Sequence, residues 1–263
     1  MTIGIFDSGV GGLSVLHHIR QALPEENLVY VADSAHAPYG DKSPDFISAR
    51  SHALTRFLIS QGADAIVIAC NTATAAAISS LRNQFTLPII GMEPAVKPAV
   101  AATRSDVIGV LATVGTLESA RFAALLERYA GDVKIVTQGC PGLVEQVEKG
   151  NLTSDITRDL VERYTAPLLA QGADTLILGC THYPFLAPLI SEIVGTDIAL
   201  IDTGEAVARH LHQRLLIELP DRKGSQKTTT RFFTTGDTTL SSRIISMMQD
   251  EQVTALPLPY KYA

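Results

Sequence analysis

The chain has 263 residues, 46% hydrophobic and 18% charged, with 21 Lys and Arg against 27 Asp and Glu for a formal net charge of −6. This is the balance of an ordinary globular protein, and its scattered cations form neither a nucleic-acid-binding stripe nor a polybasic membrane patch. The sequence shows no bilayer-spanning apolar run and no signal-peptide pattern, and its three cysteines lack a C-x-x-C pair, so free thiols in a reducing cytoplasm are expected.

In chain order, short β-branched runs alternate with amphipathic ones. The first half predicts strands at Thr2 to Phe6, Leu28 to Ala32, Ala65 to Ala69 and Ile89 to Gly91. Between and after them fall helices near Gly12 to Ala22, Pro44 to Gln61, Thr74 to Gln84 and Ala95 to Ala102. The second half predicts strands at Val107 to Ala112, Val133 to Thr137, Thr175 to Gly179 and Ala199 to Asp202, with helices near Leu117 to Tyr129, Ser154 to Gln171, Phe185 to Val194 and Gly204 to Leu216. A polar, breaker-rich linker from Glu218 to Gln226 precedes a strand at Arg231 to Thr235, a helix at Leu240 to Gln249 and a strand at Val253 to Leu256. That tail is too small to bury its own core and is expected to return to the first lobe.

The two halves are copies. Gln61-Gly62-Ala63-Asp64-Ala65-Ile66-Val67-Ile68-Ala69-Cys70-Asn71-Thr72 returns 110 positions later as Gln171-Gly172-Ala173-Asp174-Thr175-Leu176-Ile177-Leu178-Gly179-Cys180-Thr181-His182. Ile3 to Ser8 is echoed by Ile108 to Thr113, and Ile90 to Val96 more faintly by Ile201 to Val207. Alternation plus duplication predicts an α/β protein of two similar doubly wound parallel-sheet lobes, with an active site in the cleft between them. The expected division is 1–97 plus 208–263 for the first lobe and 98–207 for the second.

Each long repeat ends in a cysteine just past a buried strand, where open parallel sheets bind ligands. Buried thiols are commonly core filler, but two at equivalent positions, each followed by polar residues, point to a site. They suit a reaction needing one proton-transfer group on each face of a carbon. A zinc site from Cys70, Cys140, Cys180 and His182 lacks the short ligand pairs of structural sites, and Cys140 reads as structural. The loop Asp7-Ser8-Gly9-Val10-Gly11-Gly12 fails the dinucleotide fingerprint, because its third glycine would fall at Ser14. Asp7 is a turn cap or a group that holds an ammonium or assists a thiol. Tyr39 and Gly40 lie on the strand-end rim, and His182 stands two residues beyond Cys180, where an imidazolium would stabilise a thiolate. A cysteine hydrolase using one thiol with His182 leaves the second thiol unexplained; a non-catalytic binding module needs neither.

Phe6-Asp7-Ser8-Gly9-Val10-Gly11-Gly12-Leu13, Asp33 with Pro38-Tyr39-Gly40, Ala69-Cys70-Asn71-Thr72-Ala73 and Leu178-Gly179-Cys180-Thr181-His182-Tyr183-Pro184 resemble the signature blocks of the glutamate racemases, in the cofactor-independent aspartate/glutamate racemase superfamily. The resemblance runs through Phe233-Thr234-Thr235-Gly236. It implies interconversion of L- and D-glutamate for peptidoglycan, with no pyridoxal phosphate and no metal. It makes Cys70 and Cys180 the two acid/base groups, Cys70 acting on D-glutamate and Cys180 on L-glutamate. Asp7, Ser8, Tyr39, Gly40, Asn71, Thr72, Thr181 and His182 would contact substrate, and Asp7 and His182 would also support the thiols. An assisting glutamate is implied in a helix after Cys140-Pro141; spacing favours Glu148 over Glu145. Glutamate is then the small-molecule partner, and a homodimer is expected, with no membrane or nucleic-acid partner. Pocket length, which would separate this reading from an aspartate racemase, is invisible in the sequence.

Overall fold

The computed structural model describes residues 1–220 and 228–263. Its strands are β1 (Thr2–Asp7), β2 (Asn27–Ala32), β3 (Ala65–Ile68), β4 (Ile89–Ile90), β5 (Val107–Ala112), β6 (Lys134–Gly139), β7 (Thr175–Leu178), β8 (Ala199–Ile201), β9 (Thr230–Thr234) and β10 (Ala255–Pro257). They form two parallel sheets, ordered β10-β9-β2-β1-β3-β4 and β6-β5-β7-β8. The duplication is visible in this order, since β2-β1-β3-β4 and β6-β5-β7-β8 are the same arrangement. Register repeats as well: Ile3 and Gly4 pair with Ala65 and Ile66, while Ile108 and Gly109 pair with Thr175 and Leu176. The tail adds β9 beside β2 and β10 at the edge of the first sheet, as expected.

The helices are α1 (Leu13–Ala22), α2 (Pro44–Ser60), α3 (Asn71–Gln84), α4 (Val96–Ala102), α5 (Val114–Leu117), α6 (Ala120–Tyr129), α7 (Leu143–Glu148), α8 (Asp155–Ala170), α9 (Ala187–Val194), α10 (Gly204–Glu218) and α11 (Thr238–Gln249). Alternate strand residues face opposite layers, as the pleat requires. Ile66 and Ile68 pack with Leu54, Phe57 and Leu58 of α2 and Ala77 of α3, whereas Ala65 and Val67 join Leu13, Leu16 and Ile19 of α1 and Leu211 and Leu215 of α10. The last helix of each repeat crosses over: α4 packs against α6, β7 and β8 of the second sheet, and α10 against α1 and β4 of the first.

Several boundaries differ from those read in the sequence. The helix expected from Thr74 begins at Asn71, because extended Cys70 is its N-cap and takes the Ala73 amide onto sulfur at 3.4 Å. The helix expected over Leu117 to Tyr129 is broken in two. Ser119 is extended and caps α6 through the Phe122 amide. The segment expected as one helix from Phe185 starts as a 3₁₀ turn, Tyr183–Leu186. Glu218, expected to open the linker, closes α10, and the remainder of that linker from Asp221 to Gln226 lies outside the described residues.

Candidate active site

The strand ends of both sheets bring the candidate residues together. Asp7 closes β1 and is fully buried, and its carboxylate folds the following loop around itself. Oδ1 accepts from the Ser8 amide at 2.6 Å and the Ser8 hydroxyl at 3.2 Å; Oδ2 accepts from the Gly12 amide at 2.6 Å and from the Thr181 hydroxyl at 3.3 Å. The last contact ties the two lobes. Burial raises the Asp7 carboxyl above its ordinary value, opposed by His182 and reinforced by Glu148.

Cys70 is buried and its sulfur lies 3.9 Å from the Ser8 hydroxyl. Burial, with Asp7 nearby, pushes its thiol well up; the Ala73 amide at the start of α3 works the other way and does not prevail. This side of the site therefore holds a neutral thiol. Asn71 beside it is 5% exposed, yet neither polar atom of its side-chain amide has a partner. Each such buried, unpaired group costs about 1–3 kcal/mol, which a bound polar ligand would recover.

Cys180 faces a different environment. Its sulfur is 3.7 Å from Nδ1 of His182, and Nε2 of His182 is 2.7 Å from Oε1 of Glu148. Burial opposes charge on His182, but Cys180 and Glu148 together outweigh it and hold the imidazole well above its usual pKa. Glu148 is the carboxylate in contact with His182, while Glu145 lines a cavity beside it. The glycines of the first loop are spaced for this contact. A Cβ on Gly9 would overlap the Glu148 carboxylate, and one on Gly11 would overlap the His182 ring.

Gly11→Ala should therefore displace His182. Overpacking of this kind costs about 1–3 kcal/mol, so a lower Tm and a loss in kcat/KM of about tenfold or more are expected. Wild-type Tm and activity in the variant would show that the ring does not need this close approach.

The remaining candidates lie on the Cys70 side, where Gly40 and Thr72 line one cavity and Tyr39 is buried within electrostatic reach of the thiol. Tyr39 donates its hydroxyl to Asp33, whose carboxylate also receives Nε and Nη2 of Arg50 at 2.9 and 2.8 Å. Burial raises the Asp33 carboxyl, but Arg50 prevails and holds it below its ordinary value. Thr72 shares hydroxyl contacts with Thr113 at 2.9 Å and Thr116 at 3.1 Å from the second lobe, and Gly40 packs against Thr113. Arg50, Ser34, Thr113 and Thr116 were not singled out by sequence. A signal existed for Thr113, which stands at the repeat position of Ser8.

Cys140 follows β6 as Asp33 follows β2, and its thiol, pushed up to about 12 by burial, points to the Gln138 carbonyl at 3.2 Å. Among the described residues no group of three or more His, Cys, Asp or Glu side chains is placed to hold a metal ion, so the four zinc ligands considered from sequence are not gathered. No helix among them is long and apolar enough to cross a membrane.

Comparison with known proteins bears on this arrangement. Residues 3–211 match the family model for Asp/Glu/Hydantoin racemase. A glutamate racemase of Ectopseudomonas mendocina is 57% identical over 251 residues, 95% of each chain. The crystal structure of a Bacillus anthracis glutamate racemase superposes with a TM-score of 0.88 at 33% identity, covering 99% of this chain and 98% of that one. That of the Escherichia coli glutamate racemase in complex with L-glutamate and the activator UDP-MurNAc-Ala gives 0.86 at 33% identity over 97% of both. The chain belongs to the Asp/Glu/Hydantoin racemase family and is an amino-acid racemase of the glutamate racemase kind.

Proposed function

We propose that the enzyme inverts Cα of glutamate by a two-base proton transfer between Cys180 and Cys70. The carrying observation is the contrast between two repeat-equivalent thiols, one a neutral acid against Asp7 and Ser8, the other backed by His182 and Glu148. With L-glutamate bound, Cys180 as thiolate removes the α-proton while Cys70 delivers its proton to the opposite face. D-glutamate runs the same steps in reverse.

The α-proton is weakly acidic, so the developing carbanion and its carboxylate need donors already in place in a dry cleft. The unpartnered Asn71 amide, the Ser8 and Thr181 hydroxyls and the Thr72 cluster are available for this. Asp7 is placed for the substrate ammonium, and Tyr39 with Gly40 for the rim. We assign the closing lobes as 1–97 with 208–263 and 98–207, divided within the crossing helices α4 and α10. D-glutamate made in the cytoplasm by a homodimer would supply peptidoglycan synthesis.

Conversion of L-glutamate in deuterated water tests the two-base step. D-glutamate formed in the first turnovers should carry deuterium at Cα while recovered L-glutamate remains protiated, and both enantiomers should be labelled at equilibrium. Early product that retains the substrate's own hydrogen would mean that one group handles the proton on both faces.

A further inference from the structure

The Glu148 carboxylate is held by more than His182. It closes α7 in the second lobe, and two donors reach it from the first: the Val10 amide at 2.6 Å to Oε1 and the Ser34 hydroxyl at 3.0 Å to Oε2. Ser34 opens the short turn after Asp33 and is half-buried. Glu148 also borders a cavity of about 270 Å³ lined by Val10, Ser34, Glu145, Lys149 and Asp237 among others. The cavity leaves space beside the carboxylate into which the side chain could turn. Val10 and His182 both engage Oε1, leaving Oε2 to Ser34.

We infer that Ser34 is a positioning residue whose hydroxyl, given across the lobe interface, keeps Glu148 on His182 and out of the adjoining cavity. This rests on the proposed role of the His182–Glu148 pair beside Cys180. The groups facing His182 are Cys180 from its own loop, Asp7 from β1 and Glu148 from α7. Around Glu148 the further charges are Asp7 of β1, Glu145 on its own helix, Lys149 just past the end of that helix and Asp237 ahead of α11. Of the contacts that fix Glu148, those from Ser34 and Val10 exist only while the lobes are together. Closure is thereby coupled to the charge partner of His182, so the imidazolium is fully supported only in the closed form.

The test is the titration of His182, followed by ¹⁵N-histidine NMR in the full chain, for wild type, Ser34→Ala, Ser34→Thr and Glu148→Ala. Alanine keeps the Cβ and removes only the hydroxyl of a half-buried residue. A hydrogen bond to a charged group sets the scale, so kcat/KM of Ser34→Ala should fall about tenfold, equally in both directions. Its His182 midpoint should move to lower pH, in the same direction as in Glu148→Ala and by less, with the alkaline limb of the rate profile following. Threonine should restore both. Adding Ser34→Ala to Glu148→Ala should cause no further change. An unmoved His182 midpoint in Ser34→Ala, or a loss that adds fully to that of Glu148→Ala, overturns the inference. A midpoint that moves while racemisation stays at wild-type rate upholds the Ser34 contact and overturns the role of His182 in proton transfer.

Discussion

Cys70→Ser and Cys180→Ser are each expected to lower racemisation by about a thousandfold or more, within the range that a general acid or base supplies. A thiol ordinarily ionises near 8.5, and a hydroxyl is a far weaker acid, so serine can neither hold the anion nor yield the proton near neutral pH. The two losses should differ in kind. With Cys70 gone, Cys180 still faces L-glutamate and should exchange its α-hydrogen for solvent deuterium without inverting it. With Cys180 gone, the residual exchange should be confined to D-glutamate. Cys140→Ser is the control, because its sulfur points to the Gln138 carbonyl, and it should retain most activity. A dead but folded Cys140→Ser, or a racemising Cys180→Ser, would overturn this division of the cysteines.

Arg50→Ala should produce the largest loss of stability. Its guanidinium makes two contacts to Asp33, whose side chain is fully buried, and is itself only 11% exposed. Removing one partner of a buried pair leaves a desolvated charge, at a cost of about 3 kcal/mol or more. In the wild type the depressed Asp33 pKa contributes stability above the unfolded value near 3.9, lost only as pH falls through the folded value. In the variant, burial acts without its main opponent and raises that pKa, so Asp33 destabilises the fold increasingly as pH rises. Urea unfolding from pH 5 to 8 should show the gap between wild type and variant widening with pH. A constant gap would mean that Arg50 contributes through packing rather than charge. KM should also rise, because Tyr39 hangs from the same carboxylate.

Much of this architecture is legible in the sequence because it is written twice. Two like sets of parallel strands follow from the Gly-Ala-Asp-led repeats, and the thiols mark the strand ends. What the duplication does not carry is harder to see. Helix α7 has six residues behind Gly142 at φ 91°, too short for a periodic signal. Arg50 lies 17 positions from Asp33 on a helix whose face only the folded chain defines. The glycines at 9 and 11 answer to a close approach from residues more than a hundred positions away, not to a phosphate, so the fingerprint test could only reject them. The start of α3 was displaced because a cysteine serves as the cap where Ser, Thr, Asp or Asn is usual.

The outer strands of the two sheets limit how copies of this chain can meet. The first sheet ends on β10 and β4 and the second on β8, strands of three, two and three residues, and β10 closes on Pro257. Strands this short, or carrying proline, offer almost no unpaired ladder to a second chain. The remaining edge, β6, is six residues long and opens on exposed Lys134, a charge that discourages flush pairing. Neither sheet is fitted to grow by adding strands from a neighbour, and the same blunting protects the folded enzyme from edge-to-edge aggregation.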